Sequence, residues 1–515
     1  MKRSVGRERG FRLSLVFLCF AALILTTTGL GVAQTPLKVL TVSLSVDARS
    51  LDPYTDITSS SESIYSQIFS QLWVRDDNMD LSPSVATAYR LINDTTWEFD
   101  IRKGVLFHNG DELTAQDVVF STNRVLDPSK GFAKTPKISP AVESVEAVDR
   151  YTVRFHTKGI YVTFLDILEY IYILPEAVVR GLGDTEFSLH PVGSGPFKFV
   201  SWERDRQLVL DAFDKYWAGR PLIDRLIFKP IAETSTRIAA LLTGETDLIV
   251  NVPPEMVAQI EQNKDLRVVE CYGGRDMFVG ITNTNPPLDD VRVRKALNYA
   301  IDKEGVIAQV LGGHASMHGK LFAPQIFGDD PSLPQPYPYD PAKAKALLAE
   351  AGFTAAKPLK LEFEAPRGRY MKDAEIAEAI AYQLQNVGID VRLTTEGWAT
   401  FWSRVSGHQM TGLWFMGNGG FFDAAYLYEL YLSSQGRKLF IPTPEVDQLV
   451  VEQRTILDRA QREKALQKLM AMYHDLAPWI LLWNQNDFYA VNKRVLNWSP
   501  RYDEYMRLLK VDVAP

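Results

Sequence analysis

Trp398 and Trp402 stand four residues apart, and Trp414, Phe415, Phe421 and Phe422 follow them around the glycine-rich run Gly417-Asn418-Gly419-Gly420. Flat aromatic faces beside an adaptable glycine backbone suit a ligand cleft in which a few polar groups fix orientation. The competing reading of each ring is ordinary core. His314 and His318 are also four apart, which on a helix would bring both imidazoles to one face. They follow a Gly312-Gly313 helix stop, however, and no further ligands accompany them. A loop is therefore expected there, and no metal site. No cofactor is expected either.

The patterns of covalent catalysis are missing. The sequence contains no G-x-S-x-G, no H-E-x-x-H and no S-x-x-K with its partner motifs. Gly313 to Gly319-Lys320 approaches a phosphate loop, but the glycine spacing is wrong and Leu321 stands where a hydroxyl must reach magnesium. The glycines at 417, 419 and 420 lack the third-glycine spacing of a dinucleotide fingerprint.

The elements that must position these residues belong to a chain of 515 residues with 46% hydrophobic and 23% charged content, enough for two or three domains and a large core. The 56 Lys and Arg against 63 Asp and Glu give a net charge of −7, which argues against a nucleic-acid partner. Lys2, Arg3, Arg7, Arg9 and Arg12 precede an apolar run from Leu13 to Leu25, and Gly31-Val32-Ala33 offers small residues for cleavage. Residues 1–33 are therefore expected to be a secretory signal peptide cut after Ala33, the alternative being an uncleaved anchor. Cleavage would leave 51 basic against 62 acidic residues, a net charge of −11. It would remove Cys19 and leave Cys271 as the single thiol, so no intrachain disulfide is expected. No later stretch reaches the length of a transmembrane helix.

Val39–Val46 alternates as a half-buried strand would, and Ser60–Leu72 reads as a helix. Thr96–Ile101 alternates and leads to a turn at Asn109-Gly110; Thr114 to Asp117 opens a helix over Gln116–Val125, and a short β pair flanks Asp149-Arg150. Together these make a small α+β unit. The stripe of Val293, Ala296, Leu297, Ala300 and Ile301 predicts one helix over Asp290–Leu311. Asp340-Pro341 starts another, ended by Gly352. Strand Leu359–Glu364, helix Asp373–Val387 and strand Ile389–Leu393 form a βαβ unit, which implies a parallel sheet covered by helices. Pro444–Leu476 is expected to be helical and Ile480–Val491 a strand. The fold class is mixed α/β.

Several blocks in order resemble family 5 of the extracellular solute-binding proteins, the oligopeptide, dipeptide and nickel class that serves ABC importers. They are Ser50-Leu-Asp-Pro-Tyr54, TWEFDIRKGVLFHNGDELTAQDVVFS (96–121), PVGSGPFKFVSWE (191–203), PPLDDVRVRKALNYAIDKE (286–304), YPYDPAKAKALLAEAGF (337–353) and NWSPRYDE (497–504). The resemblance implies a periplasmic binding protein of type II, with two hinged lobes and an additional inserted α+β domain. Lobe one is expected over 34–60, 190–283 and 486–515, the inserted domain over 61–189, and lobe two over 284–485. It also implies capture of a small solute by lobe closure, delivery to the membrane permease subunits of an ABC transporter, a monomeric state and no catalysis.

In peptide-binding relatives an Asp in the glycine-rich segment pairs with the ligand's ammonium group, and Asn418 is its expected counterpart here, a neutral hydrogen bond replacing an ion pair. Asp423, five residues on, is a candidate substitute. Arg369, in Pro366-Arg-Gly-Arg-Tyr370, suits a ligand carboxylate; the alternative is a solvated loop charge. The expected site is thus Asn418, Trp398, Trp402, Trp414, Phe421, Arg369 and Asp423, with short peptides as the first substrate class. A non-peptide ligand such as an oligosaccharide or an opine-like conjugate is the second reading. A secreted hydrolase and a chaperone-like role compete from other classes.

Overall fold

Two long strands, Leu266–Ile281 and Trp479–Asn492, run antiparallel through the middle of an eleven-stranded sheet. At one end they border Leu413–Asn418, which leads on to Lys360–Arg367 and Asp390–Gly397. At the other end Trp479–Asn492 pairs with Leu248–Ile249, beside Val39–Leu44, Arg225–Pro230, Gln207–Ala212 and Phe197–Glu203. The long pair is therefore common to two half-sheets. The computed structural model describes residues 37–317, 326–330, 332–333, 337–419, 422–434, 436 and 440–514. The expected signal segment 1–33, His318 and Phe421 lie outside the described residues.

The βαβ unit forms as the periodicity predicts. Lys360–Arg367 and Asp390–Gly397 pair in parallel, joined by the helix Asp373–Asn386 that buries Ile376, Ile380 and Leu384. Asp340 caps the helix Pro341–Glu350 by accepting from the Lys343 amide at 2.9 Å, with proline at the first helical position. A second sheet of four antiparallel strands lies within residues 86–157, with the helix Ala115–Leu126 packed on it. Its helix starts as read: the Asp117 carboxylate accepts from the Thr114 amide at 2.9 Å.

Three expectations are corrected. Val39–Leu44 is buried on both faces rather than half-buried, because it pairs in parallel on both sides in the middle of the sheet. The single helix expected over Asp290–Leu311 is two, Val291–Tyr299 and Lys303–Val310. Asp302 breaks it by capping the second: its carboxylate accepts from the Gly305 amide at 2.9 Å. Pro444–Leu476 likewise divides into Pro444–Glu452 and Arg459–Leu476, the latter capped by Asp458. Among the described residues no helix is long and apolar enough to cross a membrane.

Candidate functional site

The long strand Leu266–Ile281 shifts register between Cys271 and Arg275 and again between Asp276 and Phe278. The bulge aims Arg275 into a cavity of about 560 Å³, open solvent included. Arg369 reaches the same cavity from the turn after Lys360–Arg367, Trp398 and Trp402 from the helix Trp398–Ser406, and Asn418 from the end of Leu413–Asn418. Four elements distant in sequence thus converge.

Each side chain is held by its own partners. The Asp373 carboxylate accepts from the amides of Gly368, Arg369 and Tyr370 at 3.0, 2.8 and 3.0 Å, which folds the turn that presents Arg369 and Tyr370. Arg369 Nη2 donates to Ser59 Oγ at 3.0 Å, while its Nε has no acceptor and the side chain is buried. Among the described residues it forms no ion pair. Burial, and next the charge of Arg275, hold its guanidinium below the ordinary arginine range. Arg275 differs: it pairs with Glu504, and that carboxylate raises its pKa although burial opposes it. Arg275 Nη1 and the Tyr370 hydroxyl both donate to the Gly417 carbonyl at 3.2 Å. A Cβ on Gly417 would sit 2.7 Å from Arg275 Cδ, so glycine is what lets the arginine pass.

Behind the arginines lies Asp487. Burial, and then the neighbouring Glu504 carboxylate, push its pKa well above the ordinary value. Of the two guanidiniums, Arg275 is ion-paired with Glu504 and Arg369, among the described residues, is not.

Trp398 and Trp402 stack at 5.4 Å between ring centroids with 19° between planes. Arg369 lies over Trp398 and Tyr370 at 5.4 and 4.9 Å. The Trp398 indole N–H and the Asn418 side-chain amide are buried without acceptors, so both present unused donors beside Arg369.

Of the expected site residues, the structure brings together Arg369, Trp398, Trp402 and Asn418. Trp414 is placed elsewhere. It is fully buried, edge-on to Phe278, which in turn stacks on Trp479 at 3.9 Å. Its place is opposite Gly280, four residues down the strand from Asn418, or about 13 Å at strand rise. Asp423 is also away from the cavity: it caps the helix Ala424–Tyr431 through the Ala425 amide and is bound bidentately by Arg462 at 2.6 and 2.8 Å. His314 Nδ1 lies 3.0 Å from the Glu270 carboxylate, and the ring is edge-on to Phe488. Among the described residues no three metal-ligating side chains converge. Burial pushes the Cys271 thiol up to about 12, which makes it a poor nucleophile.

Sequence reasoning missed Ser59, Arg275 and Tyr370. Gly273-Gly274 inside a strand was the available signal for the bulge that turns Arg275 inward.

A mixed sheet in two halves sharing long strands, with a buried polar cavity among them, defines a binding protein that encloses a small solute. Residues 80–438 match the model of bacterial extracellular solute-binding proteins, family 5, and the chain belongs to that family. It is 28% identical to the heme-binding protein A of Haemophilus influenzae over 86% of this chain and 85% of that one. It is 28% identical to the dipeptide-binding protein of Escherichia coli over 81% and 83%. Among solved structures, the periplasmic binding protein DppA of Helicobacter pylori in complex with the peptide STSA matches with a TM-score of 0.85 and 25% identity, over 92% of this chain and 98% of that one. AgaA from A. tumefacien R10, in complex with agropinic acid, matches with a TM-score of 0.85 and 25% identity, over 93% and 99%. The fold is that of the type II periplasmic binding proteins, and the family is one of solute receptors rather than enzymes.

Proposed function

We propose that this protein captures a small carboxylate-bearing solute, with short peptides as the first class, and delivers it to the membrane permease of an ABC importer. The observation that carries the reading is Arg369: buried, without an ion-pair partner among the described residues, and with a donor still unused. A buried guanidinium is costly unless an anion joins it, and a carboxylate is its bidentate match. The likeness to the dipeptide-binding protein and to DppA supports peptides. Lobe one over 34–60, 190–283 and 486–515, an insertion over 61–189 and lobe two over 284–485 would close about the two long strands. Ligand touching both lobes only when closed would shift the population to the closed form. The secretory leader 1–33, cleavage after Ala33, periplasmic residence and a monomeric receptor belong to this reading.

A second reading, an opine-like amino-acid conjugate, is favoured by one residue. Asn418 offers a neutral amide where an ammonium group needs a carboxylate, and AgaA is among the similar structures. Mass spectrometry of small molecules released by denaturing protein purified from its native host tests both. Recovery of peptides or conjugates with a free carboxylate is expected. A neutral oligosaccharide would overturn the carboxylate-bearing solute, and turnover of model esters or peptides lost on changing one Ser or His would overturn the receptor role.

A further inference from the structure

Trp398 is a wall between two chambers. It lines the inner cavity with Arg369 and also an outer chamber of about 1250 Å³, open solvent included. Around the outer chamber stand Arg49, Arg204 and Arg367. Most arginines of the described chain are ion-paired, but among the described residues none of these three has an acidic partner. Arg204 donates to the Arg49 carbonyl at 3.2 Å and lies over the Trp202 ring at 4.4 Å, and Arg367 donates to the Thr395 hydroxyl at 2.7 Å, so these partners are neutral.

Two acids share the same rim. Asp47 is occupied by the Ala48 and Asp205 amides, both at 2.8 Å, and by the Trp202 indole N–H at 3.3 Å. Asp205 is the second and is exposed, so three guanidiniums stand against two carboxyl groups. The nine-residue helix Trp398–Ser406 opens into the chamber, and its N-cap, Gly397, has no side chain to satisfy the first amides. Unpaired guanidiniums and uncapped helix amides ask for the same group, an oxyanion.

The geometry points to the outer chamber as a second anion subsite, so that this receptor prefers elongated solutes carrying one carboxylate for Arg369 and a second carboxylate or phosphate beyond Trp398. The assignment of the solute rests on the proposed role of Arg369; the outer subsite stands on its own residues. Inorganic phosphate titrated against tryptophan fluorescence probes the subsite alone. A saturable change is expected in the wild type, lost in the Arg49→Gln/Arg367→Gln double variant and retained in Arg369→Gln. No saturable change in the wild type, or the same change in the double variant, overturns the subsite.

Calorimetry with N-succinyl-Ala-Phe against N-acetyl-Ala-Phe then probes the solute, since both present one C-terminal carboxylate and the succinyl peptide adds a second at the far end. At least a tenfold preference for the succinyl peptide is expected, collapsing to near parity in the double variant. Equal wild-type affinities overturn the two-anion solute. If neither peptide binds while phosphate still saturates the outer chamber, the role of Arg369 fails and the subsite holds.

Discussion

Ser59 Oγ joins Arg369, 310 residues away in the chain, to Glu504, 445 residues away: it accepts from Arg369 Nη2 at 3.0 Å and donates to Glu504 Oε2 at 2.9 Å. Arg275 Nη2 reaches the same hydroxyl at 3.3 Å. One small side chain therefore holds two like-charged guanidiniums in register with their shared acid. Ser59→Ala would leave the arginines to repel one another without that bridge. Its expected cost is several-fold in affinity for the recovered solute, measured by calorimetry.

Arg369→Gln tests the carboxylate contact directly. A hydrogen bond to a charged group contributes about 1.5–3 kcal/mol, so affinity for a carboxylate-bearing solute should fall by roughly tenfold to a hundredfold. The amidated form of the same solute should bind the wild type weakly and barely respond to the substitution. Unchanged affinity in Arg369→Gln would remove the residue from the site.

Asn418→Asp makes the opposite test, of the ammonium side. The Asn418 amide is buried at the cavity with a donor unused, and a carboxylate in its place would face an ammonium group favourably. Affinity for dipeptides with free amino termini should rise, and affinity for N-acetylated ones should fall. A variant that treats both alike would show that Asn418 does not mark the ammonium position.

How far the site was legible depended on distance along the chain. Trp398 and Trp402 announced themselves by helical spacing, and Arg369 by its residue type in a loop next to a strand. Ser59 and Arg275 gave no comparable signal, because their roles exist through contacts far along the chain, Arg275 with Gly417 at 142 residues and Ser59 with Arg369 at 310. Trp414 was misplaced for a related reason: sequence nearness to Asn418 does not show that four strand residues carry a side chain out of the cavity and into the core. In the fold, the βαβ unit was readable because period and caps agree. The break at Asp302 was masked by an apolar stripe that continues across it, although its cap residue was in plain view.

The same lesson holds for two blocks that read as separate. His108 of FHNG lies against Gly193 and Gly195 of PVGSGPF: the Gly193 amide donates to Nδ1 at 3.3 Å, so Nε2 carries the proton and donates to the Gly195 carbonyl at 3.0 Å. Burial lowers the His108 pKa to about 4. The neutral ring is native, so its contribution to stability is full above the ordinary value of 6.5 and is lost as pH falls from there towards 4. The loss is about 3 kcal/mol on complete titration. His108→Gln should unfold more readily at pH 7 yet show a flatter decline in acid, as read by denaturant midpoints across pH. A Cβ on Gly193 would meet the Ile68 carbonyl oxygen at 2.0 Å, so Gly193→Ala should destabilise by at least about 1–3 kcal/mol.

Asp373 titrates over the same window with the opposite sign. Burial raises its pKa from 3.8 to about 6 even though four backbone amides favour the charged form. A carboxylate that is harder to ionise in the folded than in the unfolded chain stabilises most when protonated in both. Its contribution is therefore greatest at low pH and is lost as pH rises from about 4 through 6. This partly offsets His108, and removing it should expose the histidine: Asp373→Asn is expected to lose stability more steeply than wild type between pH 6.5 and 4, by up to about 3 kcal/mol. The same variant keeps one acceptor oxygen for the amides of Gly368, Arg369 and Tyr370 but not both, so the turn that presents Arg369 should loosen. Affinity for a carboxylate-bearing solute would then fall at pH 7.5, where the native Asp373 is ionised, and approach the wild-type value near pH 5, where the native residue is itself protonated. A purely structural role would lower affinity equally at both pH values, and that result would separate Asp373 from the positioning of Arg369.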